Sequence, residues 1–332
     1  MRPTISGTID RNEFLYYADR YRPELIAHCY RMVGSVQEAE DLVQETYLRA
    51  WRGWESFEQR STVRVWLYRI ATNLCLTAVV HQQRRVLPSG LGPASEDPGS
   101  PLAAGSSDPL WIEPFPNRLY EGSSDDPAEI AVSRSNLRLA LVASLQHLPP
   151  RQRAVFILRE VLSYPAVEVA DMLSISVAAV KSALQRARAT VDELAPADHA
   201  VLEPDSPQAR AVLDRYMAAF ENADIAALTE LLREDATLES VPRGTSLSGK
   251  DRCLARLAQL VGTTAGRYRM HPTVVNGQPA AVAYRREHPD SAFTLFAVVV
   301  LSVDADRITG ITSYQDPAVI NRFDVADGQR TD

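Results

Sequence analysis

EAEDLVQETYLRAW, residues 38–51, places an acidic stripe and an apolar stripe on opposite sides of one predicted helix. The apolar residues recur at helical spacing, at positions 39, 42, 43, 47, 50 and 51. Asp41 and Glu45 stand one turn apart, near Glu38 and Gln44. One side is expected to pack on a core and the other to meet a partner. A helix whose charged side is only solvated has the same pattern, so the neighbouring sequence is needed to distinguish a solvated side from a binding side.

Residues 60–85, directly downstream, contain no Asp or Glu, although arginines lie there among aromatic and amide side chains. With Phe57 just before them, these residues are Arg60, Arg64, Trp66, Tyr68, Arg69, Asn73, Gln82, Arg84 and Arg85. Cations bind phosphates, and aromatic or amide groups bind bases that have left the duplex. The composition therefore predicts a surface for single-stranded nucleic acid.

The composition predicts a globular cytoplasmic protein of two or three domains. The chain has 332 residues, of which 45% are hydrophobic. No apolar run approaches the roughly 20 residues of a membrane helix, and Met1–Asp10 lacks a signal segment, so no membrane contact is expected. Cys29, Cys75 and Cys253 form no CxxC pair and are expected to be core thiols, with no metal site or cofactor. A net charge of -7 argues against coating DNA unaided.

Residues 87–126 are predicted to be an acidic linker rich in proline, glycine and serine. Between residues 86 and 130 a single cation, Arg118, faces eight acids: Glu96, Asp97, Asp108, Glu113, Glu121, Asp125, Asp126 and Glu129. A solvated tether and a segment that occupies a nucleic-acid channel both fit this composition.

Residues 127–195 predict a helix-turn-helix. A helix begins after Asp126 and ends at Pro149-Pro150, and further helices are expected over residues 151–162, 165–173 and 177–191. Ser176 is a candidate cap for the last helix. Its exposed side has the donors that a major-groove helix needs: Lys181, Ser182, Gln185, Arg186 and Arg188. A plain three-helix packing unit remains the alternative.

Residues 206–327 predict a separate α+β domain. Helical periodicity covers residues 210–220, 225–232 and 250–260, and strand-like runs follow with Asn276-Gly277 as a hairpin turn. Helices followed by strands favour an antiparallel sheet. Asp235, Glu239 and Asp316 are the carboxylates to weigh as a catalytic base, but no partner group is recognisable, and Asp235 is interpreted as part of a turn. The domain is expected not to be an enzyme.

The stretches EAEDLVQETYLRAW and STVRVWLYRIATNLC together resemble region 2 of the extracytoplasmic-function (ECF) sigma factors of bacterial RNA polymerase. The string LPPRQRAVFILREVLSYPAVEVADMLSISVAAVKSALQRARA resembles their region 4, with Ser174 where the family often has glycine. The resemblance implies region 2 at residues 10–86 and region 4 at 127–195. In the family the intervening linker threads through the polymerase clefts.

The family resemblance also implies roles for individual residues. The residues implied to bind the clamp of core RNA polymerase are Glu38, Asp41, Leu42, Val43, Gln44 and Glu45. Those implied to bind the melted -10 element of promoter DNA are Phe57, Arg64, Trp66, Arg69, Asn73, Arg84 and Arg85. Those implied to bind the -35 duplex are Ser176, Lys181, Ser182, Gln185, Arg186 and Arg188.

The C-terminal stretch YMAAFENADIAALTELLREDATLE looks like the SnoaL-like, NTF2-type cone. The whole chain then resembles the SigG-type ECF sigma factors: two all-α sigma domains followed by an α+β SnoaL-like domain, with a regulatory role for the last. An anti-sigma factor or a small-molecule ligand of the last domain stays open as a further partner. Two other classes remain: a helix-turn-helix regulator with a ligand-sensing domain, and a SnoaL-like enzyme fused to a regulatory module.

Overall fold

A computed structural model describes Phe14 and residues 18–54, 57, 61–80, 84–91, 94–95, 110–120, 137–194 and 202–323. These residues form two compact units, which are treated separately. The first comprises residues 1–84 and 118–195, and the second comprises residues 85–117 and 196–332. Most of the predicted linker therefore groups with the C-terminal domain. Across the described residues no helix has the length and apolar character needed to cross a membrane.

Three helices with described bounds build the first half of unit one: α1 (Arg22–Val33), α2 (Val36–Gly53) and α3 (Val63–Val79). Gly34 ends α1 in the left-handed region, with φ of 74°. Ser35 and Thr62 cap α2 and α3 by accepting the backbone N–H groups of Glu38 and Val65. Cys29 and Cys75 are fully buried free thiols in this core, as the sequence predicts.

Four helices build the second half: α4 (Leu139–His147), α5 (Pro150–Phe156), α6 (Ala166–Leu173) and α7 (Val177–Leu194). A π-helical turn over Ile157–Val161 extends α5. Ser174 takes the left-handed conformation, with φ of 54°, at the turn between α6 and α7. The predicted helix-turn-helix is thus present, and serine occupies a position whose backbone favours glycine. The predicted helix start near Asp126 lies outside the described residues.

Unit two contains a six-stranded sheet, and its first three helices pack against one face of it. The helices are α8 (Pro207–Glu221), α9 (Ile225–Leu231), α10 (Lys250–Val261) and the short α11 (Pro317–Ile320). The strands are β1 (Leu232–Val241), β2 (Thr245–Ser248), β3 (Tyr268–Val275), β4 (Gln278–Arg285), β5 (Thr294–Asp304) and β6 (Arg307–Tyr314), in the order β2-β1-β6-β5-β4-β3. The fold is α+β as predicted, but the expectation of an antiparallel sheet was wrong for one pair, because β1 runs parallel to β6.

The two faces of this sheet are covered differently. Ala236 and Leu238 of β1 point into the core beneath the helices, so Glu239, the residue after Leu238, points to the opposite face. On that opposite face the Ser89 backbone N–H donates to Glu239 Oε1 at 3.0 Å. Further along, Pro116 pairs with Val275 at the end of β3. The described residues 85–91 and 110–117 therefore pack against this unit.

Candidate nucleic-acid interface

The exposed side of α2 carries most of the residues predicted to bind polymerase. Asp41 and Gln44 are exposed, and Glu38, Leu42 and Glu45 are half-buried. Glu45 accepts a hydrogen bond from Arg49 Nε at 2.7 Å across one helical turn, an exposed ion pair of small energetic weight. Val43 is fully buried in the core, so its inclusion among the contact residues was wrong. The position of Val43 in the apolar stripe correctly predicts that its side chain is buried.

Two large apolar side chains extend the α2 surface and were missed. Leu48 is 52% exposed and Trp51 is 39% exposed, each a whole number of turns from Asp41 or Gln44. The sequence pattern had assigned Trp51 to the buried stripe. In the structure it contacts Phe14 at its margin, with ring centroids 5.7 Å apart, and keeps an exposed edge.

An aromatic stack lies where the chain enters α3. The rings of Phe57 and Trp66 are stacked, with centroids 4.6 Å apart and planes inclined by 27°. Trp54 lies below them, 5.8 Å from Phe57. Both predicted aromatic residues are half-buried, so one side of the stack faces the protein and the other faces outward.

Three other predicted residues on α3 contact the second half of unit one. Asn73 Nδ2 donates to the Arg69 carbonyl at 2.9 Å and lies 3.4 Å from the Met172 carbonyl at the end of α6. Arg69 lies 3.8 Å from Asp171. Arg64 pairs with Glu24 at 2.7 Å, and its guanidinium lies over the rings of Tyr68 and Tyr164.

Arg84 and Arg85, the last two residues predicted to bind the -10 element, differ in exposure and in partners. Arg84 is exposed and lies 3.0 Å from His147 Nδ1. Arg85 belongs to the other unit, where it donates to the Trp111 carbonyl at 3.0 Å and lies 3.9 Å from Glu113. Its side chain is 11% exposed, and both of these partners lie in its own unit.

A buried arginine joins the two halves of unit one. Arg153 of α5 donates to the Met32 carbonyl at the end of α1, to Gln146 Oε1 at 2.6 Å and to the carbonyls of Gln146 and Leu148. Burial lowers the pKa of Arg153 to about 10. Gln146 in turn donates to the Arg31 carbonyl at 3.1 Å. This polar cluster holds α4 and α5 against α1.

The helix α7 has the exposed face that the sequence predicts. Ser176 accepts the Ala179 N–H at 3.1 Å and caps it. All six residues predicted for this face are exposed: Ser176, Lys181, Ser182, Gln185, Arg186 and Arg188. Arg186 donates to Ser182 Oγ at 2.6 Å, whereas Arg188 pairs with Glu160 at 2.9 Å. Two guanidinium groups on one helix therefore have different local partners.

The candidate carboxylates of unit two all have structural partners. Asp235 lies within β1, not in the predicted turn, and pairs with Arg233 at 2.8 Å. The Glu239 carboxylate accepts a hydrogen bond from the Ser89 N–H, and burial raises the pKa of Glu239. Asp316 caps α11 through the Ala318 N–H at 2.9 Å. Within the described ranges no group of three or more His, Cys, Asp or Glu side chains could hold a metal ion.

Comparison with known families matches three domain models in chain order. These are Sigma-70 region 2 over residues 17–85, Sigma-70 region 4 over residues 138–191, and a SnoaL-like domain over residues 213–311. The matches coincide with the α1–α3 half, the α4–α7 half and the sheet domain.

The chain is 42% identical over 319 residues to ECF RNA polymerase sigma factor SigG of Mycobacterium tuberculosis strain H37Rv, covering 96% of this chain and 85% of the relative. It is 28% identical over 308 residues to the probable sigma factor SigI of that strain, covering 91% and 92%. The crystal structure of the M. tuberculosis sigma factor SigJ shares the fold, with a TM-score of 0.61 at 23% identity over 92% of this chain and 97% of that one.

Proposed function

The chain belongs to the ECF RNA polymerase sigma factors and directs transcription initiation, and we propose that separate surfaces of α2, α3 and α7 carry out its three contacts. The observation that carries the family assignment is the 42% identity along nearly the whole chain. Its partners are core RNA polymerase and promoter DNA.

The α2 surface is proposed to bind core polymerase. The exposed Asp41 and Gln44, the half-buried Glu38, Leu42 and Glu45, and the exposed Leu48 and Trp51 form one continuous stripe. Acidic groups beside exposed apolar groups provide charge complementarity to a basic partner together with area to bury. Val43 supports the stripe from the core.

The α3 surface is proposed to bind the melted -10 element, and α7 the -35 duplex. The Phe57–Trp66 stack offers a platform for an unstacked base, and Asn73 offers an amide for a base edge. On α7, Arg186 and Gln185 are suited to base edges. Arg188, anchored by Glu160, is suited to a phosphate.

In the free chain Asn73 and Arg69 face Met172 and Asp171 of α6. These contacts occupy two of the predicted -10 groups, so we infer that the two halves of unit one separate before α3 reads DNA. The Arg153 cluster is the buried part of the interface that must open.

The C-terminal domain is proposed to act in regulation and without catalysis. Asp235, Glu239 and Asp316 are each engaged in a structural contact, which favours a structural role over that of a proton acceptor. A ligand-sensing repressor would use α7 but leaves the α2 stripe without a role. An enzyme fused to a regulatory module would require turnover by this domain.

Run-off transcription with purified core polymerase on genomic templates tests the proposal. The full chain should produce discrete transcripts that core polymerase alone does not. A chain with Asp41→Arg and Glu45→Arg should produce none, whereas Asp192→Arg with Glu193→Arg, exposed at the end of α7, should remain active. A wild-type chain that yields no transcript, yet binds a duplex specifically or converts a small molecule, would support one of the two other classes.

A further inference from the structure

Four arginines lie at one end of the C-terminal sheet, where β3 begins, β4 ends and β5 begins. This arginine rim consists of Arg267, Arg269, Arg285 and Arg286. The Arg286 N–H donates to the Arg267 carbonyl at 3.0 Å, and Arg285 pairs with Tyr268 in the β3–β4 register. Arg269 faces Tyr284 in the same register, and Arg267 and Arg286 lie one residue beyond the two strands, so four like charges gather at one end of the sheet without standing opposite each other in the ladder.

The described residues supply no carboxylate partner to the rim. Glu287 and Asp290, in the loop after β4, are exposed, and no ion pair joins them to these arginines among the described residues. Several other arginines of the same unit are paired: Arg210 with Asp205, Arg233 with Asp235 and Asp304, and Arg307 with Asp306. The rim is thus a local concentration of uncompensated positive charge on a chain of net charge -7.

Aromatic rings hold the rim guanidiniums in place. Arg269 and Arg286 lie over the same Phe293 ring, 4.8 and 5.0 Å from its centroid. Arg285 lies 4.5 Å from the centroid of Phe296. A guanidinium that stacks on a ring keeps its N–H groups available at the edge, where a phosphate is bound.

Arg286 is fixed further by the backbone. Its Nε donates to the Gly266 carbonyl at 2.7 Å and its Nη1 to the Pro289 carbonyl at 2.6 Å, so Nη2 is the nitrogen of Arg286 that is left for a ligand. Gly266 has φ of 76°, and a Cβ there would stand 3.2 Å from Arg286 Nη2. Glycine at this position therefore permits both the turn and the approach of the arginine.

The size of the rim indicates the kind of ligand. Its guanidiniums extend from the ends of β3 and β4 to the aromatic rings at the start of β5, roughly 10 Å at the usual strand spacing, which is wider than one phosphate group. Planar donors at several points along such a width fit a backbone of repeated phosphates. We propose that the arginine rim binds the phosphate backbone of duplex promoter DNA independently of sequence. This surface goes beyond the three contacts proposed above and does not depend on their residue assignments.

The test measures binding of the full chain, without polymerase, to a labelled duplex that lacks promoter elements, by fluorescence anisotropy at increasing salt. Each lost phosphate contact reduces the slope of log affinity against log salt by about 0.9. Arg269→Ala with Arg286→Ala should therefore reduce the slope by about 2 and weaken binding at low salt about tenfold. The matched control is Arg243→Ala with Arg252→Ala, two exposed arginines of the same domain outside the rim, which should leave both quantities unchanged.

Further variants separate the loss of positive charge from a failure of the double alanine variant to fold. Arg269→Lys with Arg286→Lys keeps the charge and should keep the slope. If the double alanine variant does not fold, the exposed Arg269→Ala alone should reduce the slope by about 1. An unchanged slope in the folded alanine variants overturns the proposal. Rim-dependent binding of an acidic peptide with unchanged DNA binding overturns it in favour of a protein partner. Run-off activity on a short template reports the sigma function separately.

Discussion

Single residues predicted to bind DNA already have protein partners in the free chain. Arg69 faces Asp171, and Asn73 faces the Met172 carbonyl. The Asp171 side chain is 82% exposed, so its attraction for Arg69 is weak and a DNA phosphate can replace it. Asp171 thus weakly occupies the position that the proposed function gives to a DNA phosphate.

Removal of Asp171 should make α3 more accessible. We expect Asp171→Ala to increase the affinity of the full chain for a single-stranded -10 oligonucleotide by a few-fold, because it removes the carboxylate that competes for Arg69. Asp192→Ala, an exposed acid on α7, is the control. Equal affinities of both variants and the wild type, measured by anisotropy, would contradict this role of Asp171.

His28 makes the stability of unit one depend on pH. Its Nε2 lies 2.9 Å from Thr72 Oγ1, and burial followed by the charge of Arg31 lowers its pKa to about 3. Because the unfolded value of 6.5 is higher, the unfolded chain takes up the proton first, and stability present above pH 6.5 is lost as pH falls towards 3. At pH 5 the loss is about 2 kcal/mol.

Urea unfolding at several pH values measures this effect. His28→Gln should be less stable near neutral pH, since the imidazole packing is changed, but its stability should fall less between pH 6.5 and 5. Parallel pH profiles of the variant and the wild type would show that His28 is not the titrating group.

At the scale of elements, α2 has an apolar stripe that packs in the core and an exposed stripe that is proposed to bind polymerase. Asp41→Arg with Glu45→Arg should abolish co-purification with core polymerase, because like charges would then meet a basic partner. Leu48→Asp should weaken binding at least about tenfold with little loss of stability, since Leu48 is 52% exposed. Asp192→Arg with Glu193→Arg is the control, and wild-type recovery of core with the α2 variants would contradict the assignment.

The helix α7 allows two arginines to be compared. Arg186→Ala should relax base preference in the upstream element, with a cost of about 1 to 3 kcal/mol at one base pair. Arg188→Ala should weaken all promoters alike, because Glu160 directs it away from base edges towards the backbone. Transcription from a library of randomised upstream elements distinguishes them, and identical sequence profiles would refute the difference in roles.

Helical periodicity and caps predicted most elements because they depend on local sequence. The cap at Ser176 and the turn at Ser174 follow from neighbouring residues. Strand β1 was missed in part because its burial alternates around Asp235 and its partner β6 lies about 70 residues away. Arg85 and Glu239 could not be assigned from sequence because their partners belong to the predicted linker.

At the scale of the whole molecule, two side chains of the C-terminal sheet anchor described residues of the predicted linker. The Glu239 carboxylate holds Ser89, and the Asn276 side chain accepts the Phe115 N–H at 2.7 Å. Glu239→Ala should loosen the first attachment and increase the rate of limited proteolysis within residues 85–117. Thr237→Ala, an exposed change on the same strand, is the control, and equal cleavage rates would contradict the anchoring role.

The central claim is that this sigma factor opens promoter DNA through the α3 surface, and permanganate reactivity of thymines in the -10 element tests it most directly. With core polymerase, the wild-type chain should make these thymines reactive. Asn73→Ala should reduce their reactivity roughly tenfold while closed complexes still form, since about 1 to 3 kcal/mol of base contact is lost. Asn73 is the cleanest choice because it is exposed, whereas Phe57 also packs on Trp66. Reactivity that is equal for both chains, or absent with the wild type, would contradict the account.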